Sequence, residues 1–314
     1  MTTPTVLSAT WDDGLFVITG EKRHQELAGQ PVSALASDGL GGALAIVSGH
    51  SLRRRTCDNE WIAIATSEFQ LACCAPVGDV IYVGTDDARV LRVSANGNVE
   101  QLRSFEAVVG RDTWYAGSAV INGQRVGPPL GIRSITATAD GRVLVANVHV
   151  GGIPRSTDSG ATWQPTIDIH TDVHEVCAHP TDPDIVIAAA GVGLCISQDG
   201  GATWTVEQEG LHASYCSAVA FLGHDVLVAA STDHFATQGA VYRRAIDARR
   251  PFMPVGGGLP RWIDGIADTR CIATRASAAA VADRAGNLYL STDAGSTWLR
   301  RAYGLPPPSS VVIV

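Results

Sequence analysis

The sequence predicts an all-β chain folded as a single seven-bladed β-propeller over residues 1–314, and three observations carry that reading. The 33 glycines and 15 prolines are scattered between short apolar runs, the pattern of many strands joined by turns. Hydrophobic residues make up 46% of the chain and charged ones 17%, which fills a sizeable core and excludes a disordered chain. The octet SxDxGxTW occurs at Ser156–Trp163, Ser197–Trp204 and Ser291–Trp298. Its tryptophans stand 41 and then 94 residues apart, and 94 is two units of 47 with one degenerate copy between. A unit in the forties with four short strands is a propeller blade, and seven units of about 45 residues fill the length.

Apolar runs then place the strands. Inner strands are expected at Val32–Ala36, Leu71–Ala75, Ile132–Thr136, His174–Ala178, Cys216–Ala220 and Arg270–Thr274. Second strands are expected at Ala43–Val47, Val80–Gly84, Val143–Asn147, Ile185–Ala189, Val226–Ala230 and Ala278–Ala282. Both faces of these runs are apolar, as for sheets packed between neighbouring blades. The first strand, Thr5–Thr10, reads as a second strand without an inner partner, and Ser310–Val314 reads as an orphan inner strand. Pairing the two closes the ring in one blade and removes two exposed sheet edges.

Each octet is built for a tight turn. The Asp accepts backbone N–H groups, the Gly supplies a positive φ, and the Trp fills space between blades. The octet resembles the Asp-box, or BNR, repeat of the sialidase-like propellers, a group that includes sortilin-type propellers and a photosystem II assembly factor. That resemblance implies a structural role for the octets, between the third and fourth strands on the face away from any active site. Sialidases carry an Arg-Ile-Pro motif near the N-terminus, three arginines and a Tyr–Glu pair on a six-bladed ring. Here the nearest text is Ile153–Pro154–Arg155, in the wrong order and leading into an octet, and only two inner-strand arginines occur. Sialidase activity is therefore disfavoured. The segment 147–155 resembles a signature of bacterial BNR-like proteins, which implies no particular activity.

A net charge of −8 argues against duplex nucleic acid and anionic membrane surfaces as partners. The most apolar run, Ile185–Ile196, is too short to span a bilayer. The first fourteen residues have neither a basic start nor an apolar run, so no secretory leader is expected. Seven cysteines, an odd number without a CxxC pair, sit mostly in apolar runs. They read as small hydrophobes in a reduced, cytoplasmic protein.

Connections that emerge opposite the octets include the long segments 105–131 and 247–268, so that face is the expected functional one. Trp114, Tyr115 and Trp262 on these segments are candidate lids and substrate contacts. The starts of the inner strands read Ser309, Val32, Leu71, Arg133, His174, Cys216 and Arg270 around the ring, with Tyr215 beside Cys216. The ends of the second strands contribute Asp12, Asp86, His149, Asp233, His234 and Asp283, with His50 and His212 nearby. Blades four to seven are thus rich in His, Arg and Tyr where blades two and three offer Val and Leu, an asymmetry that a symmetric scaffold does not require.

Two chemistries fit this arc. His149, His174, His212 and His234 come from neighbouring blades and suit a divalent Zn, Fe or Cu ion, with Asp86 or Asp233 as an added ligand. Without a metal, Arg133 and Arg270 hold an anionic small molecule while His149 or His174 works as acid or base, with Tyr215 and Asp233 in catalytic support and Asp12 in substrate binding. His149 and His174 sit at strand ends beside the rim, so their removal is expected to spare the fold. The sequence therefore points to a small-molecule enzyme of hydrolase or lyase type. The alternative is a non-catalytic binding or assembly propeller. The triplet Gly256–Gly258 does not join a strand to a helix and is no phosphate loop, and Arg53–Arg55 reads as a solvated strand.

Overall fold

The computed structural model describes residues 3–115, 120–121, 124–125 and 130–314, with side chains for all but 120–121 and 124–125. Seven antiparallel sheets, each of at least four strands, follow one another as blades, and a two-stranded hairpin lies apart from them. Val32–Ser37, Leu71–Val77, Ile132–Ala137, Val173–Ala178, Tyr215–Leu222 and Ile272–Arg275 begin blades two to seven as inner strands. The inner strand of blade one is Pro308–Ile313, paired antiparallel to Thr5–Thr10. The C-terminal strand thus closes the ring on the first blade, as the unpaired ends of the sequence predict.

Why these residues form blades is visible in burial. All five residues of the second strands Ala43–Val47, Val186–Ala190 and Ala278–Ala282 are buried, because a sheet in a propeller is covered on both faces. Outer strands such as Lys22–Glu26 are polar and mostly exposed. In the octet turns, Asp158 accepts the Thr162 amide at 2.8 Å and the Thr162 hydroxyl at 2.7 Å, and Gly160 takes φ +89°. A Cβ there would also meet the end of the Leu102 side chain at 2.5 Å, which would have to shift. The copies at Asp199 and Asp293 repeat these bonds.

One feature of the inner strands governs what reaches the channel. In blades two to six the pairing register slips by one residue, between Val32 and Ala34, Leu71 and Cys73, Ile132 and Ser134, Val173 and Glu175, and Cys216 and Ala218. The extra residues are Ser33, Ala72, Arg133, His174 and Ser217. A β-bulge leaves its residue out of the ladder and re-aims it. The aligned positions are therefore these five, and the expected column of Val32, Leu71 and Cys216 is one residue early in three blades. A strand-by-strand alignment that assumes unbroken pleats makes that error.

The carbonyls freed by the bulges converge on blade seven. Arg270 donates to Arg133 O at 2.6 Å, Ala72 O at 3.2 Å and Ser33 O at 3.2 Å. The Thr269 hydroxyl lies 3.3 Å from His174 O and 3.5 Å from Ser217 O. Arg270 was expected to open the inner strand and to face a substrate. The strand begins instead at Ile272, and Arg270 has φ +65° with its guanidinium bridging three blades.

Candidate functional site

On the face opposite the octet turns, four blades bring charged and aromatic groups together. His149 follows the second strand of blade four, and Arg133 is the bulge residue of that blade's inner strand. Asp172 ends the single helical turn Ile169–Thr171 with φ +55°, and its carbonyl accepts the Gly191 amide, so it enters blade five in a fixed orientation. His174 is the bulge residue just beyond it.

His149 Nε2 stands 3.1 Å from Asp172 Oδ1, and His174 Nε2 stands 3.4 Å from Asp172 Oδ2. The ligand atoms of these three residues all lie within 4.8 Å of one another. His174 is 1% exposed, and its Nδ1 donates to Cys216 O at 2.6 Å. That bond fixes the tautomer: a carbonyl only accepts, so in the neutral ring Nε2 carries a bare lone pair. Neither His174 Nε2 nor Asp172 Oδ1 has a hydrogen-bond partner. The Arg133 guanidinium donates to His149 Nε2 at 3.3 Å and to the Thr269 hydroxyl at 3.1 Å.

A second ring of charge surrounds this cluster. Asp268 lies 3.7 Å from Arg133 and 3.4 Å from Arg284, and Arg284 also faces the His234 ring. Burial opposes ionisation of Asp268, but Arg133, the Thr269 amide, His234 and Arg284 hold its carboxyl below the ordinary range. Burial also opposes the Asp172 anion, yet the two imidazoles keep its carboxyl well below the usual value. His149 is pushed the other way, chiefly by burial, with Arg133 and His174 adding to it against Asp172. The ring is thereby kept neutral and able to offer a lone pair. The Tyr215 ring packs 4.5 Å from the His174 ring, and burial raises its phenol, which stays protonated as a donor.

The other expected site residues lie elsewhere or do other work. His212 shares a separate cluster, with Nδ1 2.8 Å from the Tyr242 hydroxyl and its ring edge-on to Trp262 at 4.8 Å. His234 stands against Arg284, and the one group of three metal-ligating side chains among the described residues omits both histidines. Asp233 is exposed and caps its own turn through the Phe235 amide at 2.6 Å. Asp12 is exposed in the turn between Thr10 and Leu15 of blade one, across the ring from blades four and five. Trp114 is no lid: it is buried against Phe105 at 5.8 Å in a core cluster that includes Trp163. Tyr115 is half-buried and bridges to Val150. Trp262 is 40% exposed, with Arg261 over its ring at 4.3 Å. Part of the segment 105–131 falls outside the described residues.

Asp172, Asp268, Thr269 and Arg284 were not anticipated. A signal existed for two of them: Asp172 and Asp268 each stand two residues before an aligned inner position, His174 and Arg270. The expectation that His174 is a rim residue also changes, since its side chain is buried and hydrogen-bonded. A cavity of about 640 Å³ lies at the other end of the channel, lined by Cys73, Ser134, Thr136, Glu175 and Arg270 with Gly78 and Gly141 on its wall.

No protein-family model matches this sequence, and no curated protein does. Solved structures match through the fold. A putative 6-phosphogluconolactonase from Bacteroides uniformis superposes with a TM-score of 0.68 at 11% identity, covering 100% of both chains. The GH74 enzyme of Niastella koreensis gives 0.59 at 13% identity over 93% of this chain, which spans only 46% of that protein. The computationally designed Ika8 protein gives 0.60 at 12% identity, covering 98% of this chain and 86% of the other. At such identities the likeness is one of fold, a propeller whose neighbours include enzymes and a design.

Proposed function

We propose that this propeller is a small-molecule enzyme of hydrolase or lyase type that acts on an anionic substrate at the face carrying Arg133 and His149. The octet repeat supports placing it among the Asp-box propellers, and its enzyme neighbours agree with a hydrolytic role. One observation carries the reading: His174 Nε2, on a side chain 1% exposed, is buried without a hydrogen-bond partner 3.4 Å from the Asp172 carboxylate, in a cluster that also holds His149 and the Arg133 guanidinium. Leaving such an atom unsatisfied costs about 1–3 kcal/mol, a cost that a ligand at this face would remove.

In this reading Arg133 and Arg284 bind the anionic group, with the planar fork of donors suited to carboxylate or phosphate. Tyr215 donates a hydrogen bond, and neutral His149 accepts a proton or activates water. We place the protein in the cytoplasm, in keeping with seven cysteines of which none is joined in a disulfide. A second reading, a binding surface for another macromolecule, draws on Trp11, Phe235 and Trp262, which are exposed on the same face at 49%, 85% and 40%.

The test is turnover of phosphorylated and carboxylated esters and lactones by the purified protein. Turnover that falls on the order of 100-fold or more in Arg133→Met supports the enzyme reading, by analogy with the loss of one stabilising donor at an oxyanion. No turnover of any anionic substrate, with the folded protein binding none of them, leaves the binding surface as the better account.

A further inference from the structure

We propose that His149, Asp172 and His174 together form the binding site of one divalent transition-metal ion, with zinc as its best fit. The geometry of three ligand atoms makes the case. His174 Nδ1 is committed to Cys216 O, so Nε2 can only accept, and it is buried, unpartnered and aimed at the Asp172 carboxylate. His149 Nε2 lies 3.1 Å from Asp172 Oδ1 and 3.3 Å from an Arg133 nitrogen, so this ring nitrogen faces both the cluster and the guanidinium. Asp172 presents one oxygen to each ring, at 3.1 and 3.4 Å. One ligand atom from each of the three residues lies within 4.8 Å of the other two, close enough to share a single ion.

The spacing suits a metal. With bonds of about 2.0–2.2 Å, two ligand atoms on one zinc ion stand roughly 3.0–3.6 Å apart. Both measured His-to-Asp separations fall in that range. Two imidazoles and a carboxylate are a donor set for zinc or ferrous iron that leaves coordination positions open. The bond from His174 to Cys216 O is the outer contact that orients a ligating imidazole. The open side faces Arg133 and Tyr215, where a metal-bound water or an oxyanion would meet a cation and a donor. Asp172 stands in the left-handed backbone region, which Asp and Asn tolerate and which directs the carboxylate between the two rings.

This inference deepens the reading above, resting on it for what the ion would do but not for whether the ion binds; with an ion bound, His149 would be a ligand, and a metal-held water would take over the role of base. Its test therefore uses metal alone. Protein stripped by a chelator is titrated with cobalt, read by visible absorption, and with zinc, read by elemental analysis after dialysis. One equivalent per chain is expected in the wild type. Affinity should fall on the order of 100-fold or more in both His149→Ala and Asp172→Asn, at least matching the loss known for outer-shell groups. Circular dichroism checks that both variants fold, and His224→Ala, which breaks an exposed 3.2 Å pair with Asp247, should bind normally. Failure of the folded wild type to take up one equivalent overturns the proposal. So does full affinity in both site variants, or an equal loss in His224→Ala. If metal binding fails while Arg133-dependent turnover persists, the enzyme reading stands without a metal.

Discussion

Two partly buried carboxylates teach what this ring does with charge. Glu26, on the outer strand of blade one, accepts two bonds from Arg55 at 2.9 and 2.6 Å, one from the Trp61 indole at 2.7 Å, and a His24 contact at 3.1 Å. It ties blade one to blade two and leaves no acceptor idle. Asp172, on the rim of blade five, faces the imidazoles of His149 and His174 at 3.1 and 3.4 Å, and its side chain stays 36% exposed. A buried, fully paired cluster holds structure together. One open at the rim is accessible to something outside the chain.

Two arginines repeat the contrast. Arg270 spends its donors on the carbonyls of three blades, whereas Arg133 spreads its donors over His149, Thr269 and Asp268 and stays 25% exposed. Arg270→Met therefore has the largest expected effect on stability. It orphans three bulge carbonyls, each worth about 1–3 kcal/mol when left buried and unpaired. Urea unfolding should show a loss of roughly 4 kcal/mol or a chain that does not fold. A shift in midpoint no larger than that of a surface substitution would mean that water replaces the guanidinium in the channel.

Glu26→Gln comes next. Removing one partner of a buried pair leaves Arg55 uncompensated and should cost about 3 kcal/mol at neutral pH. The pH dependence has a definite sign. Burial alone would raise the Glu26 carboxyl, but the bonds from Arg55, Trp61 and His24 outweigh it and hold it below its ordinary 4.5. A depressed carboxyl contributes stability that is present above the unfolded value and is lost as pH falls through the folded one. The gap between wild type and variant should thus narrow in acid unfolding series. A gap that stays constant down to the acid limit would show that Glu26 acts by packing and not by charge.

How much of this contrast could be read from the sequence depends on what carried each part. The ring was legible because octets, apolar runs and the unpaired end strands are local patterns with a fixed period. Arg133, His149 and His174 were legible as polar residues at apolar positions. Asp172 was not, since an acid in a connecting loop looks like any solvated turn until the bulge at His174 aims the ring back at it. Arg270 was misplaced for the same reason: the sequence shows an arginine at a strand start, while the three bulges that free carbonyls for it share no special residue. Trp114 was taken for a lid because its loop is long, yet Phe105 and Trp163 fold that loop into the core.

A smaller stability effect than at Glu26 is expected at Asp172, whose side chain is 36% exposed, and it bears most directly on the claim that its carboxylate serves a ligand. Asparagine keeps the shape, suits the left-handed backbone and removes the charge. Thermal unfolding of Asp172→Asn beside wild type, without metal and then with excess zinc, is the measurement. We expect the metal-free variant to be less stable than wild type, because a depressed carboxyl contributes stability at neutral pH, and a zinc-dependent rise in the wild type alone, as mass action requires of a ligand bound only by the native state. Zinc raising both proteins equally would make Asp172 one more structural carboxylate.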